Sequence, residues 1–172
     1  MPIGAAFSFG TGKFAGMAGR IYLDMDGVLA DFDRGATELF GMSPRDFEAM
    51  YGTGVFWKRL ATATGFFAGL DPMPDAMELY EAVKHTDPVI LTGLPRGKWA
   101  EPQKRKWAEQ HFPGVKVITT TAALKKEYCS PGDVLVDDRD KYRGAWEEAG
   151  GIFIHHRDAR SSIEALKQHG FL

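Results

Sequence analysis

The residues that could do chemistry fall at three places where a short apolar run stops on polar groups. Ile21, Tyr22 and Leu23 run into Asp24-Met25-Asp26-Gly27, Val89, Ile90 and Leu91 run into Thr92-Gly93, and Val134, Leu135 and Val136 run into Asp137-Asp138. Alternate residues of an extended backbone share a face, so Asp24 and Asp26 project together, and Gly27 lets the chain turn sharply beyond them. Four carboxylates in one crevice repel one another unless a cation lies among them. Hard oxygen donors with room for water suit Mg²⁺ better than zinc, and Mg²⁺ usually combines one or two protein carboxylates with phosphate oxygens of a substrate. The cluster therefore predicts a phosphorylated ligand, whose phosphate is completed by the Thr92 hydroxyl, a backbone N–H at Gly93 and one lysine. If a carboxylate attacks phosphorus, cation and lysine offset its repulsion by the anionic ester, and a second acid protonates the leaving alkoxide. Asp24 and Asp26 are placed for those two roles. Any one of these aspartates alone could merely cap a helix or turn; three such strand ends together argue for a site.

Bringing the three ends together requires a parallel sheet, and the rest of the chain has that pattern. Residues 33–40 have helical character, and Ser43-Pro44 supplies an N-cap and a first-turn proline for another helix. From there to about Leu70 the chain is aromatic and broken by glycines, as expected of a small helical cap. Asp71-Pro72-Met73-Pro74 is a rigid connector into an amphipathic helix over 75–85, with Ala76, Leu79, Tyr80 and Val83 on one side. A charged helix follows over 98–111, with Lys104, Arg105 and Lys106 assigned to a solvated face. Strands are predicted at 88–93, 115–118, 134–136 and 152–154. The other helices are a short one after the polar loop 119–123, one over 141–149 and one over 161–169. Strands alternating with helices give an α/β protein with a doubly wound parallel sheet. The expected division is a Gly/Ala-rich tail at residues 1–19, a core domain at 20–33 and 71–172, and a cap at 34–70.

Composition sets the outer bounds. A chain of 172 residues supports one well-cored domain with a modest insertion. Its formal charge of −2 offers no basic groove for a polynucleotide, so nucleic-acid end processing gains no support. Cys129 is the one cysteine, which excludes an intramolecular disulfide or a cysteine metal cluster and fits a reducing cytoplasm. Gly10-Thr11-Gly12-Lys13 invites comparison with a phosphate-binding P-loop, but Phe14 stands where Ser or Thr is needed and no strand precedes it. No run of eighteen apolar residues suits a membrane span and no signal-peptide core is present, although the acid-poor start leaves organellar targeting open.

The run Asp24-Met25-Asp26-Gly27-Val28-Leu29-Ala30-Asp31, then Leu91-Thr92-Gly93, a downstream lysine and Val136-Asp137-Asp138 resemble the four ordered motifs of the haloacid dehalogenase superfamily of phosphatases. Ala30-Asp31-Phe32, Gly65-Phe66-Phe67, Leu70-Asp71-Pro72 and Pro74-Asp75-Ala76 are similar, more narrowly, to the 5'(3')-deoxyribonucleotidase family. The superfamily resemblance implies Asp24 as the nucleophile that forms an aspartyl-phosphate and Asp26 as general acid and then base. It also implies Thr92, Gly93 and a lysine at the phosphate, and Mg²⁺ held by Asp24, the Asp26 backbone carbonyl, Asp137 and Asp138, with Asp138 favoured for direct coordination. The three-residue spacing to Tyr128 favours Lys125 as that lysine, with Lys126 the alternative. The nucleotidase resemblance adds Phe32 to stack on a base, with Phe66 or Phe67 contributing from the cap. Gly93 departs from the pattern, because the nucleotidases usually carry a small polar residue there.

The expected activity is hydrolysis of nucleoside 5'- or 3'-monophosphates, with deoxyribose preferred, by a cytoplasmic enzyme that binds neither polymer nor membrane and could pair as a homodimer. The alternatives are a phosphatase or phosphotransferase of another small metabolite and a non-catalytic phosphate-binding module. His155 and His156 are assigned a simple loop position.

Overall fold

The computed structural model describes residues 18–172, so the P-loop-like stretch and most of the expected tail lie outside the described residues. Strands β1 (Ile21–Leu23), β2 (Val89–Gly93), β3 (Lys116–Thr120), β4 (Val134–Asp137) and β5 (Ile152–His155) form one parallel sheet in the order β3-β2-β1-β4-β5. The order reverses at β1, and the crevice beyond the carboxyl ends of β1 and β4 is where an open α/β sheet binds its ligands.

Period-two alternation assigns the two faces of the sheet. Ile21, Leu23, Ile90, Val134, Val136 and Ile154 join one large core, whereas Tyr22, Val89, Leu91, Leu135 and Phe153 gather around Trp146 on the other side. Helices α1 (Phe32–Phe40), α2 (Pro44–Tyr51) and α3 (Thr53–Thr62) come between β1 and β2, followed by α4 (Ala76–Val83). Then come α5 (Ala100–His111), α6 (Arg143–Glu148) and α7 (Ala159–Gln168). Ser43 caps α2 as its sequence suggests, accepting from the Asp46 N–H, with Pro44 at the first helical position.

Several elements differ from their sequence expectation at the ends. The helix predicted over 75–85 finishes as a 3₁₀ turn, Lys84–Thr86, before Asp87 takes up a left-handed backbone. The short helix after the polar loop is a 3₁₀ helix, Ala122–Tyr128. The last helix starts two residues early because the Asp158 carboxylate accepts from the Ser161 N–H and caps it.

The aromatic segment that begins at α1 leaves and returns through a narrow neck. Ala30 bridges Pro72, the Asp31 N–H donates to the Asp71 carbonyl at 2.8 Å, and the Met73 N–H donates to the Leu29 carbonyl at 2.7 Å. Its apolar side chains do not form a separate core. Phe32, Ala36, Phe56, Leu60, Phe66, Phe67 and Leu70 belong to the same cluster as Ile21 and Leu23. Helix α5 grips the returning chain: Trp107 Nε1 donates to the Leu70 carbonyl at 2.8 Å, and the Phe67 N–H donates to Gln103 Oε1 at 2.9 Å. Trp107→Phe keeps an aromatic ring but orphans the Leu70 carbonyl; it should lower stability by about 1–3 kcal/mol, read as a shift of the urea midpoint at constant m-value.

Candidate active site

The site is built at the tip of β1. The Asp24 N–H is still tied to the sheet, donating to the Val136 carbonyl at 2.9 Å, and the chain then turns tightly, with the N–H groups of Leu29 and Ala30 both reaching back to the Met25 carbonyl. Gly27 has φ +80 and lies against Asp138, so a Cβ there would overlap the Asp138 carboxylate. One strand away, β4 delivers Asp137 and Asp138. The Asp137 Oδ1 accepts from the Arg139 N–H at 3.0 Å, and His155 Nε2 at the end of β5 donates to the Asp138 carbonyl at 2.9 Å. His155 thus braces the acidic loop, beyond the loop position expected of it. His156 is buried, bonded through Nδ1 to the Ser162 hydroxyl at 2.7 Å, and does not line the cavity.

Asp24, Asp137 and Asp138 each offer an oxygen within 4.8 Å of the others. The Asp26 carboxylate, by contrast, turns away from that cluster toward Lys104. Burial pushes Asp138 up to about 8 and Asp137 up to about 6, and the Asp24 carboxylate adds to both shifts. Three crowded, half-dehydrated acids of this kind fit a divalent cation with oxygen ligands, and the donor set, all hard oxygen, suits Mg²⁺.

Two lysines are buried among the acids. Lys125 is the inward-facing member of its pair, and Lys126 is exposed. Its ammonium bonds Asp24 Oδ1 at 2.9 Å and Asp137 Oδ2 at 2.8 Å, and among the described residues its third N–H has no partner, so it can serve a ligand oxygen. Burial disfavours that charge, yet the two carboxylates hold the Lys125 pKa above the ordinary lysine value.

Lys104 overturns its expected place on a solvated face. It is 1% exposed, and its ammonium donates to Asp26 Oδ2 at 2.7 Å, the Thr92 hydroxyl at 3.0 Å and the Gly93 carbonyl at 2.8 Å. A signal was present in the sequence: Ala100, Lys104, Trp107 and Ala108 share one helical face, which places this lysine in an otherwise apolar stripe.

These groups open onto a cavity of about 420 Å³. Asp24, Asp26, Gly93, Lys104, Lys125, Asp137 and Asp138 belong to its polar lining, and Phe32, Trp57 and Phe67 are among its aromatic lining. Two expected residues lie elsewhere. Thr92 is fully buried beneath the floor, where its hydroxyl accepts from Lys104, and Phe66 stands outside the lining, edge-on to Phe32 at 5.6 Å. Phe32 is itself largely spent on packing against Phe56, Phe66 and Phe67. Trp57, not singled out in the sequence, joins it on the wall. Gly93 is tight against Ala122: an added Cβ would approach the Ala122 N to 3.2 Å, so the missing side chain there leaves little space unused.

A parallel sheet in this order, with acids closing β1 and β4, is a fold shared with L-2-haloacid dehalogenase from Xanthobacter autotrophicus, at a TM-score of 0.50 and 15% identity over 80% of this chain and 76% of that one. The chain belongs to the family described as 5' nucleotidase, deoxy (pyrimidine), cytosolic type C protein, whose sequence model matches residues 18–160. It is similar to the human cytosolic-type 5'(3')-deoxyribonucleotidase, at 30% identity over 80% of this chain and 82% of that protein. The human mitochondrial 5'(3')-deoxyribonucleotidase is 29% identical over 86% of this chain and 76% of its own. Among solved structures, a hydrolase from Streptococcus pneumoniae TIGR4 shares the fold at a TM-score of 0.54 and 14% identity, covering 88% of this chain and 100% of that one. Among the described residues no helix is long and apolar enough to cross a membrane.

Two measurements check this geometry. Gly27→Ala should weaken divalent-cation binding about tenfold or more by calorimetric titration, because the new methyl displaces Asp138. A carboxylate whose pKa is raised by folding binds its proton more tightly in the native chain, so its contribution to stability falls as pH rises through the raised value. Without a divalent cation the melting temperature should therefore rise as pH is lowered from about 8 toward about 5, and saturating Mg²⁺ should flatten that slope.

Proposed function

We propose that the protein is a Mg²⁺-dependent phosphatase that hydrolyses nucleoside monophosphates, with deoxyribonucleotides preferred, through an aspartyl-phosphate on Asp24. The observation that carries this reading is the grouping of Asp24, Asp26, Asp137, Asp138 and Lys125 in the lining of one cavity that also presents aromatic rings. The polar groups match a phosphate with its cation, and the rings match a flat base. The family relationship supports the same substrate class.

Asp24, Asp137, Asp138 and the Asp26 backbone carbonyl would hold the cation, which supplies positive charge between a carboxylate nucleophile and an anionic ester. Lys125 fixes Asp24 through Oδ1 and directs its remaining N–H to the phosphate, beside Gly93. Asp24 attacks phosphorus while the ester P–O bond breaks. The departing sugar oxygen takes a proton from Asp26, whose carboxyl burial pushes above the ordinary carboxylate range against the pull of Lys104. Its Oδ1 is buried with no partner among the described residues, the position such a proton requires. A water then attacks the aspartyl-phosphate, surrendering a proton to Asp26, and phosphate leaves with Asp24 restored. We read residues 34–70 as a cap that sets base and sugar preference. The unpaired Cys129 fits a reducing compartment, and we place the enzyme in the cytoplasm.

Phosphate release across deoxyribonucleotides, ribonucleotides and sugar phosphates is the direct test; good turnover of sugar phosphates with every nucleotide failing would exclude the nucleotidase reading. Asp24→Asn should reduce release to background with the fold intact. Asp26→Asn should cost about 10²–10⁴-fold. Chelation should abolish turnover, and added Mg²⁺ should restore it.

A further inference from the structure

Lys104 is saturated where Lys125 is not. An ammonium has three hydrogens, and those of Lys104 are taken by Asp26 Oδ2, Thr92 Oγ1 and the Gly93 carbonyl, so none is left for a substrate oxygen. Its positive charge lies 4.5 Å from the centroid of the Phe67 ring, which lines the same cavity. The same helix and its N-cap residue hold Phe67 by two further contacts, the Gln103 bond to its N–H and the stacking of Trp99 at 5.4 Å. One side chain therefore touches the β1 tip, the end of β2 and the aromatic segment at once.

We propose that Lys104 is a positioning residue that holds the Asp26 carboxyl in line with the leaving oxygen and registers it against the Phe67 wall, without itself contacting the phosphate. This assignment rests on the phosphatase reading above. Asp26 sits in a loop with a glycine after it and has no other side-chain partner among the described residues, so Lys104 is what fixes its rotamer. With Oδ2 held, Oδ1 is the oxygen left to carry the proton to the leaving group. Thr92 and Gly93, expected at the phosphate, act in this arrangement as the seat of the lysine.

The role makes a prediction about leaving groups that a merely structural role does not. In forming the aspartyl-phosphate, the ester P–O bond breaks and its electron pair goes to the leaving oxygen. An alkoxide, as in a nucleotide, needs the Asp26 proton at that moment, whereas p-nitrophenolate departs without it. kcat/KM covers the steps up to that departure. For Lys104→Met, kcat/KM should fall about a hundredfold with a deoxyribonucleoside 5'-monophosphate, and by less than about fivefold with p-nitrophenyl phosphate. Introducing the change into Asp26→Asn should then cost almost nothing further with the nucleotide. A parallel loss on both substrates, or no loss on the nucleotide, overturns the proposal. Thermal melting establishes folding first; should the methionine variant not fold, Lys104→Gln keeps the volume and is read by the same ratio. Wild type separates the two levels of failure. If it cleaves only p-nitrophenyl phosphate and simple alkyl phosphates, the nucleotide assignment fails, and the alkyl-to-aryl ratio still tests Lys104. If it cleaves no ester, the phosphatase reading itself fails.

Discussion

Crowding of negative charge at the end of a dry sheet is the constraint from which the rest of this structure follows. Asp24, Asp26 and Asp137 lie at or near the tips of buried strands, where unpaired ions are costly, and Asp138 is only partly open to water. The chain answers with two buried lysines from two different helices. Lys125 comes from the 3₁₀ helix and bonds Asp137 of β4, and Lys104 comes from α5 and bonds the Gly93 carbonyl of β2. Each ties an acid of β1 to a neighbouring strand end, so charge balance also sets the spacing of the strand tips. What the lysines leave uncompensated is the face shared by Asp24, Asp137 and Asp138, where a divalent cation would complete the balance.

The two lysines show how the same side chain takes two tasks through hydrogen-bond arithmetic alone. Both line the cavity, but one has a donor to spare for a ligand, whereas the other has none and acts on its neighbours. Neither distinction is a matter of residue type or of net charge. It comes from the number of acceptors that the surrounding backbone and side chains present to each ammonium.

Much of this was legible in the chain. The acid-tipped strands, their parallel pairing and the inward choice of Lys125 over Lys126 all follow from apolar runs ending on polar residues and from local spacing. Lys104 was hidden because a run of Lys, Arg and Lys on a charged helix reads as a wet surface, and only its phase relative to Ala100, Trp107 and Ala108 marks it as buried. The aromatic wall was less legible for another reason. Phe32, Phe66, Phe67 and Trp57 have the same composition signature, and which of them faces the cavity depends on how α1 and α3 pack against the returning chain. Thr92 reads as a phosphate ligand in one dimension because it ends a strand; in the fold it is buried and its hydroxyl accepts from a lysine twelve residues away.

The paired crossing at the neck has a consequence for how this architecture can vary. Because Leu29, Asp31, Asp71 and Met73 are bonded to one another across the crossing, the ends of the intervening segment are fixed in space whatever lies between them. Closing a longer or shorter loop on fixed ends changes its entropy only slowly with length. The segment between Asp33 and Gly65 can therefore change length in its exposed parts without moving a strand, so long as Ala36, Phe56 and Leu60 keep their places in the shared core. The stretch around Phe67 and Leu70, seized by α5, must likewise be kept in register with the sheet.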